Sequence, residues 1–382
     1  MKIALISSYA TCCGVADYSF NLSEEFLKQK VKIKIFAKTR GEGESYDKDQ
    51  FKKTSAMVER CWSNKKNYSL NKLYRALIKF KPDIIHFQDI FRREDGFKKI
   101  YQLFPGKIIV TFHSVNAPLR PTINGSPDKE FVKRIKKYSD YFIVHNNLSK
   151  KALIKDSGIN KKKIKVIDHG TKLCGKEINK IGARKKINLP KEAFFIITYG
   201  FYAPKKGVDK LIELMPCLIK KITNLYYFNI GRVRLKTHKL SIKSLNDLEK
   251  RIRTLKLQKR VKLLKRFLSE EEVRYYLRAS DLIILFYPEE YPLIHASGVA
   301  HEVIACGRPV IASDITTFSE FPNKSMYKIK PSKEALRRAI LKIFKDKKSQ
   351  KKILIKAREY SLKTSWRNTT KKHLKFYKEV LK

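Results

Sequence analysis

The sequence predicts an α/β protein made of two doubly wound domains, and three observations lead there. Short β-rich apolar runs alternate with longer segments of helical period, the sign of βαβ units and parallel sheets. The alternation lapses once, over the Lys-rich, polar stretch Thr171–Lys191, and then restarts. The length of 382 residues, at about 100 to 200 residues per domain, suits two or three domains. A chain of this size buries roughly three quarters of its surface on folding and needs no disulfide or metal to hold it.

In the first half the runs predict strands at Lys2–Ser7, Lys32–Ala37, Asp83–Phe87, Lys107–Phe112, Tyr141–His145 and Ile164–Ile167. Between them, Leu22, Phe26 and Leu27 share a face of a helix over Val15–Lys30, and Leu73, Leu77 and Phe80 align on one over Leu70–Phe80. Gly175, Gly182 and Pro190 punctuate the polar stretch, which reads as a linker over residues 171–192. Beyond it, strands are expected at Phe194–Tyr199, Tyr226–Ile230, Val261–Leu264, Asp281–Leu285 and Pro309–Ala312. Helices are expected at Gly207–Lys221, Lys243–Leu255, Glu270–Ala279 and Gly298–Cys306, and Lys333–Lys382 reads as helical throughout. The domains are therefore placed at residues 1–170 and 193–364, with 365–382 a final helix expected to pack back toward the first domain.

Composition removes several classes. A hydrophobic fraction of 43% with 15 Gly and 13 Pro excludes a fibrous or low-complexity chain. The formal charge of +49 favours polyanions of any kind, nucleic acid, anionic lipid or phosphorylated substrate, without choosing among them. The Lys residues are spread over almost every segment, so the plainer reading is a solvated basic surface. Six Cys with no C-x-x-C pair read as free thiols in a reducing compartment, with neither a zinc site nor a redox motif. The N-terminal apolar run is too short for a signal-peptide core, and no run approaches the roughly 18 residues that cross a bilayer. A cytoplasmic, soluble protein that touches a membrane surface without crossing it is the expectation.

Ligands of open α/β sheets bind beyond the C-terminal strand ends, where amide N–H groups and the helix dipole attract phosphate. Four junctions carry suitable residues. Gly14, after the first strand, would let a phosphate approach the backbone, though a tight turn alone would also explain it; no G-x-G-x-x-G follows that strand. Tyr199–Asp209 places Lys205 and Lys206 between glycines at the first strand-to-helix turn of the second domain. In the third, Ser297 and Gly298 open a helix that carries Glu302 one turn in; His301-Glu302 does not extend to H-E-x-x-H, because position 305 is Ala305. The fourth is a set of strand-end histidines, His86, His113, His145 and His169, beside Asp89, Ser114 and Asn116. These are either packed core residues or the lining of one crevice.

Taken in order, these pieces resemble the family-four retaining glycosyltransferases of the GT-B fold over nearly the whole chain. The pieces are Gly14-Val15, Val110–His113, Ile167–Gly170, Pro204–Gly207, Leu268–Glu272 leading to Ala279–Asp281, and Ser297-Gly298 through Glu302 to Gly307–Ser313. The resemblance implies two Rossmann-like domains facing across a cleft, the first holding the acceptor and the second a nucleotide diphosphate sugar. It implies retaining transfer of a hexose from a UDP- or GDP-linked donor to a lipid-linked or glycan acceptor. By the same carry-over His113, Lys206 and Glu302 are the catalytic set. Gly14, Lys206, Arg266, Ser297, Gly298, Val299 and Glu302 bind the donor: Lys206 on the diphosphate, Glu302 on the ribose, and the Ser297-Gly298-Val299 amides on the distal phosphate.

The resemblance also implies no metal ion, since lysine and helix dipoles take its place. The family's usual second Glu, eight residues before Glu302, is here Ile294, with Glu289 and Glu290 nearby; the family's Arg after the strand-end glycine is here Phe201. Basic and aromatic stretches at Arg134–Tyr138 and Leu148–Lys155 leave an anionic membrane surface open as a partner. The alternatives are a basic polyanion-binding protein, for which no RNP motif, zinc finger or basic zipper is present, and a catalytically silent relative.

Overall fold

The computed structural model describes residues 1–11, 13–39, 54, 57–65, 67–88, 94–116, 129–175, 179–232, 239–266, 268–288 and 293–382. The chain divides into two compact units, one comprising Met1–Gly170, Pro292–Gly298 and Thr364–Lys382, the other Thr171–Tyr291 and Val299–Lys363.

The first unit runs β1 (Lys2–Ser7), α1 (Gly14–Lys28), β2 (Lys32–Lys38), β3 (Val58–Trp62), α2 (Asn71–Phe80), β4 (Ile84–Phe87), α3 (Glu94–Leu103), β5 (Lys107–Phe112), β6 (Ser114–Asn116), α4 (Lys129–Ile135), β7 (Tyr141–Val144), α5 (Asn147–Ser157) and β8 (Ile164–Val166). Seven strands pair in parallel in the order β3-β2-β1-β4-β5-β7-β8. They are apolar on both faces because helices cover both, so β1 and β4 carry continuous buried runs where a half-exposed strand would alternate.

The second unit runs α6 (Lys180–Lys186), β9 (Phe194–Phe201), α7 (Val208–Ile219), β10 (Leu225–Arg232), α8 (Lys239–Thr254), β11 (Val261–Leu263), α9 (Glu270–Ala279) and β12 (Leu282–Leu285). After β13 (Leu293–His295), which belongs to the first unit, it resumes with α10 (Gly298–Ile304), β14 (Val310–Ser313), β15 (Tyr327–Ile329), α11 (Lys333–Lys345) and α12 (Lys347–Lys363). Its six strands are parallel in the order β11-β10-β9-β12-β14-β15.

The helical tail is three helices. The last, α13 (Trp366–Leu381), belongs to the first unit, where Trp366, Phe376, Tyr377 and Val380 share one core with Tyr18, Phe20, Leu22 and Phe26 of α1. Gly170 must be glycine beneath it: a Cβ there would meet the Trp366 ring at 2.2 Å.

Two boundaries differ from the sequence reading. Residues 171–192, expected as a linker, are built into the second unit, and Arg184 of α6 is the reason. Its buried guanidinium meets Asp281 at 2.6 Å, donates through Nε to the Ala279 carbonyl at 3.0 Å and also reaches the Lys191 carbonyl. Asp281 in turn accepts from the Phe195 amide at 2.8 Å, so a charged residue that composition assigns to solvent locks the segment onto the N-terminal ends of the central strands β9 and β12. The second difference is Pro292–Gly298, expected within 193–364 and found in the first unit, where β13 pairs antiparallel with β6 through Ile294 opposite Val115 and His295 opposite Ser114. The sequence reading also lacks β3, of five residues, and β6, β13 and β15, of three residues each, runs too short or too polar to stand out as strands.

Candidate functional site

In the first unit the parallel sheet brings its strand-end histidines to one edge. His113 directly follows β5 and His145 directly follows β7; since Phe112 pairs with Val144, the next residues are neighbours, and His145 Nε2 lies 3.0 Å from His113 Nδ1. His145 Nδ1 donates to the Ile167 carbonyl at 3.0 Å, and His113 Nε2 lies 3.0 Å from the side-chain amide of Gln88. Burial, then the neighbouring His145 and His86, holds His113 well below the usual histidine range and therefore neutral. Both ring nitrogens of His113 are therefore engaged, Nδ1 by His145 and Nε2 by the Gln88 side-chain oxygen.

His86 settles differently. It is fully buried within β4, with Nδ1 at 2.5 Å from the Tyr377 hydroxyl and Nε2 at 2.7 Å from Thr111, and burial lowers it to about 3. The chain continues from Tyr377 to His373 at 3.3 Å and from His373 to Tyr18 at 2.9 Å. His86 and His373 thus tie α13 and α1 to the sheet as core residues. The Tyr18 ring is the hub, with His113, His145, His169 and Trp366 centred within 4.7 to 5.1 Å.

His113 and His169 form the partly exposed rim of this cluster. Gly298 belongs with them, a Cβ there lying 3.5 Å from His169 Nε2. Ser297 before it is buried. Gly14, at the start of α1, has open space where a Cβ would go and no left-handed backbone, so neither a turn nor packing requires glycine there. Asp89 lies outside the described residues.

The second unit builds its site from a turn. The chain leaves β9 through a single 3-10 turn, Pro204–Lys206, and enters α7 through Gly207 at φ +58°, where a Cβ would also meet the Phe286 carbonyl at 2.6 Å. This turn fixes Lys206, whose ammonium donates to the Tyr287 hydroxyl and sits 4.0 Å from the centre of its ring. Tyr287 is fixed by Ser313, which takes its amide proton at 2.9 Å and donates to its carbonyl at 2.8 Å.

Val299 of α10 lies 3.7 Å from a Cβ built on Gly200, which joins the β9 end to the helix that carries half-buried Glu302. His301 next to it is a core residue, bonded to Thr171 at 2.7 Å and packed on Tyr360 and Phe321. Arg266 is exposed and meets Glu272 at 2.5 Å; Glu272, the third residue of the Ser269 capping box, is held down to about 2 by that bond and by Ser269.

At the two departures, Ile294 is a ladder residue in β13, and Phe201 is paired in register with Arg232, which follows Gly231 as Phe201 follows Gly200. Glu289 and Glu290 lie outside the described residues. Gln88, Tyr18, Tyr287 and Trp366 escaped the sequence reading. Gln88 had a signal, two residues after a strand-end histidine.

Two family models account for most of the chain. Glycosyltransferase Family 4 matches residues 13–173, and Glycosyl transferases group 1 matches residues 179–360. The chain belongs to the family-four glycosyltransferases of GT-B fold. Among solved structures, a glycosyltransferase from Rickettsia africae ESF-5 is similar at 20% identity and a TM-score of 0.79, covering 100% of this chain and 98% of that one. Sucrose-phosphate synthase from Thermosynechococcus elongatus is similar at 18% identity and 0.76, covering 100% and 99%. HepE from Anabaena, in complex with UDP-glucose, is similar at 15% identity and 0.74, covering 99% and 100%. No curated protein sequence matches the chain at a significant level.

Proposed function

We propose that the protein is a retaining hexosyltransferase that takes its sugar from a UDP- or GDP-linked donor and passes it to a lipid-linked or glycan acceptor at the cytoplasmic face of a membrane. The observation that carries this reading is Lys206, an ammonium held by Tyr287 on a glycine-bounded turn at a strand C-terminus, where a departing diphosphate needs its charge met. A donor diphosphate would exchange the Tyr287 hydroxyl for phosphate oxygens without moving the turn. Glu302 would accept from the ribose hydroxyls, and the amides of Ser297, Gly298 and Val299, with the open backbone at Gly14, would face phosphate oxygens.

His113 would meet the transferred sugar as a neutral ring. Since both its nitrogens are engaged, a sugar hydroxyl would take the place of the Gln88 side-chain oxygen at Nε2 while His145 holds the ring through Nδ1. The UDP-glucose bound by HepE supports a uridine donor for a chain of this fold. No metal is assigned to the reaction: the cationic task falls to Lys206, and activity is expected to survive chelation of divalent ions by EDTA.

The basic surface is only partly free for a membrane. Among the described residues Arg134 pairs with Glu94 at 2.8 Å, Lys136 donates to the Ser157 carbonyl and Lys150 to the Ile164 carbonyl, which leaves Lys137, Lys151 and Lys155 exposed. At about 1 kcal/mol each they would add weak attraction to anionic lipid. Among the described residues no helix is long and apolar enough to cross a membrane.

Calorimetric titration with UDP, GDP and ADP at moderately high salt tests the reading. One nucleotide is expected to bind selectively, with Lys206→Ala weakening it by roughly 10- to 100-fold, as for a lost hydrogen bond to a charged group, and Glu302→Ala weakening it too. Equal binding of all three, unchanged in both variants, would leave only polyanion attraction.

A further inference from the structure

The second unit holds two thiols in near-bonding contact. Cys174 Sγ lies 2.7 Å from Cys306 Sγ, about 0.7 Å longer than a disulfide bond. Cys174 is four residues into the unit and half-buried, and Cys306 is buried two residues past the end of α10. The two segments are already held together one turn away, where Thr171 bonds His301 of α10 at 2.7 Å. The backbone on the Cys174 side is clamped as well, because Arg278 donates to the Cys174 carbonyl at 3.0 Å and to the Gly175 carbonyl. Closing the remaining gap needs side-chain rotation at two residues whose backbones are fixed.

We propose that Cys174 and Cys306 form a reversible disulfide, a covalent modification site whose oxidant is a low-molecular-weight disulfide of the glutathione type. Cys174 is the attacking thiol. It is the more accessible of the two, and the Cys306 contact, with Arg278 beside it, lowers it from the ordinary thiol range against the effect of burial. Cys306, held up by the same contact and by burial, is the resolving thiol.

The steps balance. The Cys174 thiolate attacks one sulfur of the oxidant, forming a mixed disulfide and releasing one glutathione thiolate. Cys306 loses its proton to water, its sulfur attacks Cys174 Sγ, and the second glutathione leaves. Two protein thiols have been oxidised by two electrons and one disulfide oxidant reduced to two thiols. Glu302 lies on the helix whose end this bond would tie, and its carbonyl accepts from the Cys306 thiol at 3.3 Å.

The test uses the full chain. It is incubated with oxidised glutathione, the remaining thiols are alkylated, and intact mass and a non-reducing peptide map are measured. Before alkylation a mass loss of about 2 Da is expected. The map should show one cross-linked peptide joining 174 to 306, with Cys12, Cys13, Cys61 and Cys217 alkylated, and dithiothreitol should reverse it. Cys306→Ser should stop at a glutathione adduct on Cys174, because the resolving sulfur is gone, while Cys217→Ser should cross-link as the unaltered chain does. A stable glutathione adduct on Cys174 of the unaltered chain, a cross-link between other cysteines, or both thiols left unmodified would each overturn the proposal.

Discussion

In the first unit His86 and His373 are buried, His113 lies at their rim, and all three are held neutral inside a hydrogen-bonded network that also holds two helices to the sheet. The second unit instead holds buried Arg184, together with Lys180, against Asp281 and carries Lys206 on a turn shaped by glycine. Both put polar groups at the C-terminal edge of a parallel sheet. A neutral network holds its geometry only while it stays neutral, whereas a lysine on a turn keeps its charge and can exchange one partner for another.

Acid should separate the two units most strongly. The unfolded chain takes up a proton at each histidine near pH 6.5, while folded His86 resists until about pH 3. Between those values the unfolded state binds more protons, so stability is complete above pH 6.5 and falls as pH drops toward 3. The slope is about 1.4 kcal/mol per pH unit for each such histidine. Urea unfolding followed between pH 7 and pH 4 should show the first unit, reported by Trp62 and Trp366, losing stability first. A midpoint independent of pH over that range would mean that the histidines are not buried neutral.

Removing one side of the ion pair is the matching insult to the second unit. Arg184→Met should cost about 1 to 3 kcal/mol, because it leaves the Ala279 and Lys191 carbonyls without their donor while Lys180 still meets Asp281, and the loss should appear in that unit's transition alone. Glycine replacements come next. Gly170→Ala forces the Trp366 ring out of place, at about 1 to 3 kcal/mol in the first unit. Gly207→Ala should cost a similar amount in the second, combining a left-handed backbone with a carbonyl clash. Equal transitions for wild type and both variants would show that these turns relax freely. The smallest effect belongs to Arg266→Ala, since an exposed pair is worth about 0 to 1 kcal/mol; thermal unfolding should barely move.

The sequence carried the fold because parallel strands buried on both faces are short continuous apolar runs, and helices such as α1 and α2 repeat their apolar residues at 3.6. It also marked Lys206 and the run Ser297 to Glu302, because glycine, lysine and hydroxyl residues at strand ends are chemically distinctive. It misread residues 171–192, since composition cannot show that Arg184 would be buried against Asp281. Glu302 and His301, adjacent in the chain, illustrate the same limit: one half-exposed on the helix, the other in the core.

The amino-acid sequence alone determined the two doubly wound folds and the family, because local periodicity and local chemistry are written along the chain. Only the tertiary structure decided which histidines face outward and which are core, that Tyr287 holds Lys206, that β13 joins the first unit, and that Cys174 meets Cys306. Each of those is a contact between residues dozens to hundreds of positions apart, and such pairings are set by how the sheets bring strand ends together.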